Sequence, residues 1–165
     1  MAHAVVAQTH HQRERMIERW GIPAVAIPEG IPLSPPAPAV RERAVLLAAT
    51  LRWFKRPERI LDLAARMPDV PIWVAGGEWI GDSPRDARTV EAFHARAAGL
   101  PNVRRFGLLA HDRLLDLHRR ASVLVNTSLF EGFPQTFLEA WSCGTPVVTL
   151  GVDPDEVICR HGLGY

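Results

Sequence analysis

The chain has 165 residues, of which 47% are hydrophobic and 22% are charged, and its formal net charge is +1. This length and composition fit one globular domain with a sizeable core. The near-neutral balance gives no overall attraction to nucleic acid or to an anionic membrane surface, and no apolar run in the sequence reaches the length of a membrane span.

The first quarter of the chain has little regular patterning. Residues 8–20 are polar and charged with an apolar helical stripe that ends at Trp20, so they predict a helix. Residues 24–27 form a short candidate strand, and the proline-rich stretch at 28–38 is typical of a connector. We therefore interpret residues 1–42 as a helix and connector that precede the main domain.

From residue 43 to 165, strands and helices alternate. A continuous apolar run predicts a buried strand at 44–50, and a further buried strand is predicted at 122–126. Strands are also predicted at 70–75, 103–106 and 147–150. Helices are predicted at 57–67, 88–98, 111–121, after Pro134, and at 155–160, with a loop at 79–85. This order predicts a Rossmann-like α/β domain, a parallel sheet with helices on both faces. Ligands bind such sheets at the carboxyl ends of the strands.

The segment from Glu131 to Pro146 is the most informative in the chain. Two carboxylates, Glu131 and Glu139, flank a Gly-Phe-Pro turn and the start of a helix, in which Pro134 suits the first position. Backbone N–H groups at that helix start would favour an anion, and the carboxylates could bind hydroxyl groups. Alternatively, Thr136 and Glu139 form a capping box and Glu131 is only a turn residue. The spacing leaves both readings open.

Two further loops could contact a ligand. A basic run that includes Arg52 and Lys55 follows the first buried strand, and a lysine there can reach a diphosphate. The same run could equally be a solvated charge cluster. Gly76 and Gly77 follow the second strand and permit close approach of a ligand, although a plain turn explains them as well.

Histidines and cysteines give no pattern typical of a metal site. His94, His111 and His118 are interpreted as surface or helix-face residues, and Cys143 and Cys159 lack metal-ligand spacing. The N-terminal residues also lack the layout of a signal peptide. We therefore expect a cytoplasmic protein with reduced thiols, no nucleic-acid partner and no metal cofactor; a peripheral contact with a membrane stays open.

The stretch from Asn126 to Val148 resembles the E-x7-E signature of family 4 retaining glycosyltransferases, the glycosyl transferases group 1. Weaker similarity in order and spacing extends over nearly the whole chain. The resemblance implies a B-type enzyme with two Rossmann-like halves, of which this chain is the second, donor-binding half. An acceptor-binding half would then precede residue 1, and further helices would follow Gly164.

The resemblance also implies roles for matching positions. Lys55 should contact the diphosphate of a nucleotide-sugar donor, Glu131 the sugar hydroxyls and Glu139 the ribose hydroxyls. Further contacts to the sugar, phosphate and base are expected from Gly76, Gly77, Arg105, Phe106, Gly107, Gly132, Phe133, Pro134, Gln135 and Thr136. The family often has Gly-Arg where this chain has Ala49-Thr50, and Arg52 is the candidate replacement.

The implied function is transfer of a hexosyl group from a UDP- or GDP-sugar with retention of anomeric configuration. Lys55 and Glu131 are the implied catalytic residues. The alternatives are a nucleotide-sugar-binding fragment without catalysis, or a nucleotide-sugar epimerase of similar fold. A dehydrogenase is disfavoured because the sequence lacks a G-x-G-x-x-G fingerprint.

Overall fold

A computed structural model describes residues 5–34, 40–78 and 81–165 of the chain. The strands are β1 (Val6–Ala7), β2 (Val25–Ala26), β3 (Val45–Ala48), β4 (Ile72–Ala75), β5 (Val103–Gly107), β6 (Val123–Asn126) and β7 (Val147–Thr149). The helices are α1 (His10–Trp20), α2 (Glu58–Arg66), α3 (Pro84–Ala97), α4 (His111–Arg120), α5 (Gln135–Ser142) and α6 (Val157–His161). Part of the predicted connector, 35–38, and residues 79–80 of the predicted loop lie outside the described residues.

Strands β3 to β7 form one parallel sheet in the order β5-β4-β3-β6-β7. Within this sheet, the chain runs from the central strand β3 through β4 to β5 at one edge. It then crosses to β6, on the other side of β3, and continues to β7 at the opposite edge. The strand order therefore reverses between β3 and β6, where a doubly wound sheet opens its ligand crevice. The predicted α/β fold is confirmed.

Side chains of the central strands alternate between two hydrophobic cores. Leu46 of β3 packs with Phe137 of α5 on one face of the sheet. Leu47 packs with Ile60 of α2 and Phe93 of α3 on the opposite face. Burial of both faces explains why the strands read as continuous apolar runs, and each fully buried side chain of this kind contributes about 1.5–3 kcal/mol to folding.

Helix α3 begins four residues earlier than the sequence indicated. Ser83 is its N-cap, and the Ser83 Oγ accepts a hydrogen bond from the Asp86 N–H at 3.2 Å. Pro84 occupies the first turn, where its missing N–H costs nothing. The predicted loop at 79–85 was therefore too long at its C-terminal side, because a cap and an N-terminal proline were read as loop residues.

The N-terminal segment forms a small β–α–β unit in which β1 and β2 pair in parallel. Thr9 caps α1 by accepting the Gln12 N–H, and Gly21 ends the helix at a φ of +62°, as the sequence predicted. The Asp155 carboxylate accepts the His10 and His11 N–H groups at 2.8 and 3.0 Å, which ties α1 to the loop after β7. Burial favours a higher pKa for Asp155, but these two hydrogen bonds outweigh it and lower the pKa.

Two expectations from composition can be compared with the structure. In the described ranges, no helix is both long enough and apolar enough to cross a bilayer. Cys143 is buried and Cys159 is exposed, and both are free thiols, in agreement with the prediction of unpaired cysteines.

Candidate functional site

The crevice between β3 and β6 brings together the two residues that the resemblance marked as catalytic. Lys55 ends a 3₁₀ turn, Trp53–Lys55, that follows β3, and Glu131 lies in the loop after β6. The Lys55 Nζ and Glu131 Oε1 are 2.5 Å apart, and both side chains are mostly buried. These residues are distant in sequence and meet only because β3 and β6 are neighbours.

Hydrogen bonds join the two loops that carry this ion pair. The Thr127 Oγ1 donates to the Lys55 carbonyl at 2.6 Å, and the Leu129 N–H donates to the Phe54 carbonyl at 2.8 Å. The Ser128 Oγ donates to the Glu131 Oε1 at 2.6 Å, so one carboxylate oxygen receives two donors. Sequence reasoning missed Thr127 and Ser128, although two hydroxyl residues directly after a buried strand are a usable signal.

Aromatic rings and cations surround the same turn. The Phe54 and Phe130 rings stack with centroids 5.0 Å apart, and the Arg52 guanidinium lies 4.7 Å from the Phe54 centroid. The Arg85 guanidinium lies 3.6 Å from the Trp53 ring. Phe130 keeps 56% of its surface exposed beside Glu131. The ion pair therefore has an apolar rim with positive charge next to it.

Asp86 of α3 holds the backbone of the 3₁₀ turn Trp53–Lys55 in place. Its Oδ1 accepts the Trp53 N–H at 2.9 Å, and its Oδ2 lies 3.5 Å from the Arg52 Nε. The hydrogen bond from Trp53 lowers the pKa of Asp86 despite the burial of its side chain. Arg52, the candidate diphosphate contact, is thus held at least partly by an acidic residue that the sequence analysis did not single out.

Asp86 should make stability depend on pH in the acid range. Its pKa is lowered by folding, so the stabilisation is complete well above the unfolded-state pKa, near 4, and is lost as the pH falls through the folded-state pKa. Asp86→Asn should therefore lower the melting temperature at pH 7, and the difference from wild type should shrink below about pH 4. Thermal melts across pH measure this. Asp82→Asn, at an exposed position, is the control, and equal effects of both variants would contradict the prediction.

The start of α5 differs in detail from the sequence prediction. Pro134 is the N-cap and Gln135 the first helical residue, so the helix begins one position later than expected. Thr136 lies inside the helix and makes no capping hydrogen bond, so the capping-box alternative is wrong. The Phe137 N–H donates to the Pro134 carbonyl, and the N–H groups at a helix start have no partner of their own within the helix, so they are open to water or a ligand.

Gly132 lies where the N-terminal unit approaches the Glu131 loop. A Cβ at Gly132 would stand 2.7 Å from the Gln12 Nε2, so any larger residue would displace that side chain. A cavity of about 180 Å³ lies between Thr9, Gln12, Glu131 and Gly132. Phe133, the next residue, turns toward Trp141 in an edge contact. The loop after β6 is thus enclosed by α1 on one side.

Glu139 is a buried residue of α5. It retains 4% of its surface and lies between two histidines of α4. The Glu139 Oε1 is 3.5 Å from the His111 Nδ1, and the Oε2 is 3.5 Å from the His118 Nε2. His111 is largely exposed and His118 is fully buried. The interpretation of His118 as a surface or helix-face residue missed this contact because α5 had not been placed against α4.

A separate cavity of about 330 Å³ opens at the carboxyl ends of β4 and β5. Its lining includes four of the predicted substrate contacts: Gly76, Gly77, Arg105 and Gly107. Phe106 points elsewhere, packing edge-on against Trp73 in the core. The resemblance implies that the loops at 76–77 and 105–107 flank the base, and the structure brings four of these five residues to one cavity.

A hydrogen-bonded chain of three side chains borders this cavity. The His94 Nε2 contacts the Glu78 Oε1 at 2.6 Å, and the His94 Nδ1 contacts the Arg105 Nη1. Because Arg105 can only donate, His94 Nδ1 accepts, and the Nε2 hydrogen is directed to Glu78. Sequence analysis did not identify the contact between Glu78 and His94. Glu78 follows β4 and His94 lies in α3, so the two residues meet only in the folded chain.

The part of the chain that the structure describes contains no cluster of three or more His, Cys, Asp or Glu side chains arranged to hold a metal ion.

The sequence pattern of the family described as Glycosyl transferases group 1 matches residues 45–164. The chain belongs to this family.

Curated relatives of this group 1 glycosyltransferase domain include D-inositol 3-phosphate glycosyltransferases. Those of Mycobacterium tuberculosis and Mycobacterium bovis are 33% identical over 129 residues. The matched region covers 75% of this chain and 26% of the relative. The chain thus spans about a quarter of the length of the curated relatives it matches.

Solved structures show the same fold. The Anabaena protein HepE, in complex with UDP and glucose, superposes with a TM-score of 0.77 at 21% identity, covering 90% of this chain and 44% of that one. Sucrose-phosphate synthase from Thermosynechococcus elongatus superposes with a TM-score of 0.67 at 26% identity, covering 90% and 41%. The predicted resemblance to the C-terminal domain of B-type glycosyltransferases is confirmed. The roles of Lys55, Glu131 and Glu139 stay predictions.

Proposed function

We propose that this glycosyltransferase domain binds the nucleotide-diphosphate sugar donor of a hexosyltransferase that retains anomeric configuration. The observation that carries the proposal is the meeting of Lys55 and Glu131 in the crevice between β3 and β6. A doubly wound sheet binds its ligand at that crevice. A cation and an acceptor side by side suit a ligand that has both phosphate and hydroxyl groups.

Lys55 and the start of α5 would stabilise the negative charge of the departing diphosphate. The lysine Nζ is a mobile point charge, and the N–H groups after Pro134 add the positive end of a helix dipole. Charge that develops on the leaving group is then compensated by fixed groups, which lowers the barrier to cleavage of the anomeric C–O bond. The proposal assigns no metal ion to this task.

Glu131 would accept hydrogen bonds from hydroxyls of the transferred sugar. In the structure its Oε1 already receives Lys55 and Ser128, which fix the carboxylate at the crevice. A donor whose diphosphate lies beside Lys55 would share the ammonium group with Glu131 and weaken the ion pair between the two residues. Ser128 would keep Glu131 oriented during this exchange, because its hydrogen bond at 2.6 Å does not involve the diphosphate.

The nucleoside would lie on the β4–β5 side of the same edge. Supporting this, the cavity lined by Gly76, Gly77 and Arg105 has about 330 Å³, enough for a base, and polar groups at its rim can fix orientation. Glu139 would bind the ribose hydroxyls. HepE, whose fold the chain shares, was solved with UDP and with UDP-glucose, which makes a uridine nucleotide the first donor to test.

An acceptor-binding half is part of the proposal, with residues 1–42 leading from it into the donor domain. The chain spans only 26% of its curated relatives, and the N-terminal unit exposes several apolar side chains. These are Val6, Ile17, Trp20, Ile22, Val25 and Ile27. Exposed apolar residues in one small unit are typical of a surface that another element covers. The proposed location of the enzyme is cytoplasmic.

Calorimetry with UDP and GDP tests donor binding by this chain. We expect one of the two nucleotides to bind with a dissociation constant in the micromolar to submillimolar range, without added metal and in the presence of EDTA. Absence of binding by both would contradict the proposal. Turnover of the matching nucleotide sugar should require an acceptor-binding half. Binding without transfer in that full enzyme would favour the non-catalytic module, and epimerised sugar without acceptor would favour the epimerase.

A further inference from the structure

His118 is a polar side chain that is fully buried between α4 and α5. It lies in α4 with 0% of its surface exposed, and neither ring nitrogen has a hydrogen-bond partner among the described residues. Buried polar atoms are rarely left in this condition, because desolvation without a hydrogen bond costs about 1–3 kcal/mol. If this position only had to be filled, an apolar side chain would make the folded state more stable than a histidine does.

The backbone of His118 is held firmly in place. Its carbonyl accepts the Thr145 Oγ1 at 2.5 Å and the Arg41 Nη1 at 3.2 Å. Arg41 also donates to the carbonyls of Arg119 and Ala121, which closes the C-terminal end of α4. The imidazole therefore projects from a fixed point of the fold toward α5.

The atom that faces His118 is the second unpaired buried group of this interface. The Glu139 Oε2 lies 3.5 Å from the His118 Nε2 and has no hydrogen-bond partner in the described part of the chain. The Glu139 Oε1 points the other way, to His111 at the exposed start of α4. A shift of about 0.5 Å would bring Nε2 and Oε2 to hydrogen-bond distance. The Glu139 Oε2 is thus buried, whereas its Oε1 faces the exposed start of α4.

We propose that His118 is a positioning residue for nucleotide binding: its Nε2–H holds the Glu139 Oε2, so that the Glu139 Oε1 is presented to the ribose hydroxyls of the donor. The inference rests on the proposed function, in which Glu139 binds ribose. A buried carboxylate needs donors on both oxygens to stay oriented. His118 supplies one from inside the protein, and the ribose supplies the other from the ligand.

Substitution of His118 by glutamine distinguishes a positioning role, which needs an N–H donor at the place of the Nε2, from a packing role, which does not. The amide nitrogen of a glutamine can occupy the place of the His118 Nε2, whereas that of an asparagine reaches only the place of the Nδ1. His118→Gln should therefore restore what His118→Leu and His118→Asn lose. A packing role predicts no such order, because leucine fills the buried space at least as well as glutamine.

Calorimetry of the chain with UDP and with 2′,3′-dideoxy-UDP measures the ribose contact, and GDP with its dideoxy analogue serves as a second pair. Wild type should bind UDP more tightly than the dideoxy analogue. His118→Leu should weaken UDP binding about tenfold, as expected for one hydrogen bond to a charged group, and leave the analogue within about twofold. In a Glu139→Gln background, His118→Leu should have no further effect on UDP.

Leu117→Ala controls for loss of packing, since Leu117 is buried in the same helix. It should lower the melting temperature without changing the ratio of UDP to dideoxy-UDP affinity. A His118→Leu protein that binds UDP and retains the wild-type ratio overturns the inference and leaves the proposed function intact. Equal weakening of both nucleotides by His118→Leu also overturns it. A wild type that binds neither UDP nor GDP overturns the proposed function together with the inference.

Discussion

Lys55→Ala is expected to reduce the affinity of this domain for UDP or GDP by about 10- to 100-fold, the range that one charge-assisted hydrogen bond to a phosphate supplies. The loss arises because the Lys55 Nζ lies in the crevice, 2.5 Å from the Glu131 Oε1, and no neutral side chain can replace it beside a diphosphate. Calorimetry gives the affinities. The nucleoside without phosphates should bind both proteins equally, since it makes no contact with Lys55.

Arg59→Ala is the matched control for Lys55→Ala. Arg59 is a half-exposed cation of α2 that pairs with Asp62 at the surface, so its removal changes the net charge by the same amount. Nucleotide affinity should change by less than about twofold in this variant. If the two variants weaken UDP binding equally, the effect of Lys55 is long-range electrostatics, and the assignment of Lys55 to the diphosphate is wrong.

Gly76→Ala is expected to destabilise the domain by at least 3 to 4 kcal/mol, roughly the upper range for a single substitution. Gly76 has a φ of +143°, which favours glycine, and a Cβ there would lie 1.9 Å from the Ala49 carbonyl oxygen. Neither backbone can yield without separating the ends of β3 and β4. Urea denaturation measures the free energy of unfolding, and poor recovery of folded protein would be the extreme form of the same result.

The neighbouring Gly77 provides the control for this substitution. A Cβ at Gly77 would meet only the Leu108 side chain at 3.5 and 3.8 Å, an ordinary contact, and the backbone there needs no left-handed conformation. Gly77→Ala should therefore change the free energy of unfolding by less than about 1 kcal/mol. Comparable destabilisation by both variants would mean that loss of glycine as such, rather than the clash with Ala49, is responsible.

Much of the fold follows from local patterns in the sequence. Continuous apolar runs identified the central strands β3 and β4 because both of their faces are buried, and amphipathic spacing identified the helices. The edge strand β5, which carries Arg104 and Arg105, has no such run and was placed from its position between two predicted helices. The ends of elements were less predictable. Ser83 and Pro84 resemble loop residues until the cap that Ser83 makes with Asp86 is known. Thr136 and Glu139 matched a capping box that the position of Pro134 excludes.

The candidate site was only partly predictable for a different reason. The residues that follow each strand could be named, but their neighbours depend on strand order, which no local pattern states. The contact between Lys55 and Glu131 requires β3 beside β6. Ser128 is an exception, because its hydroxyl acts on Glu131 of the same loop and a local pattern could have identified it. His118 was missed because its partner belongs to a different helix.

The position of β5 at the edge of the sheet has a consequence for solubility. An edge strand offers unpaired backbone groups to any other extended chain, and a parallel sheet is otherwise a ready template for aggregation. Here Arg104 and Arg105 are exposed on β5, and their charges oppose the approach of another copy. Arg105 thus combines two tasks, since it also borders the cavity beside Gly77. A substitution of Arg105 would therefore alter the rim of the proposed nucleotide cavity and also weaken the protection against edge-to-edge polymerisation, which Arg104 would then provide alone.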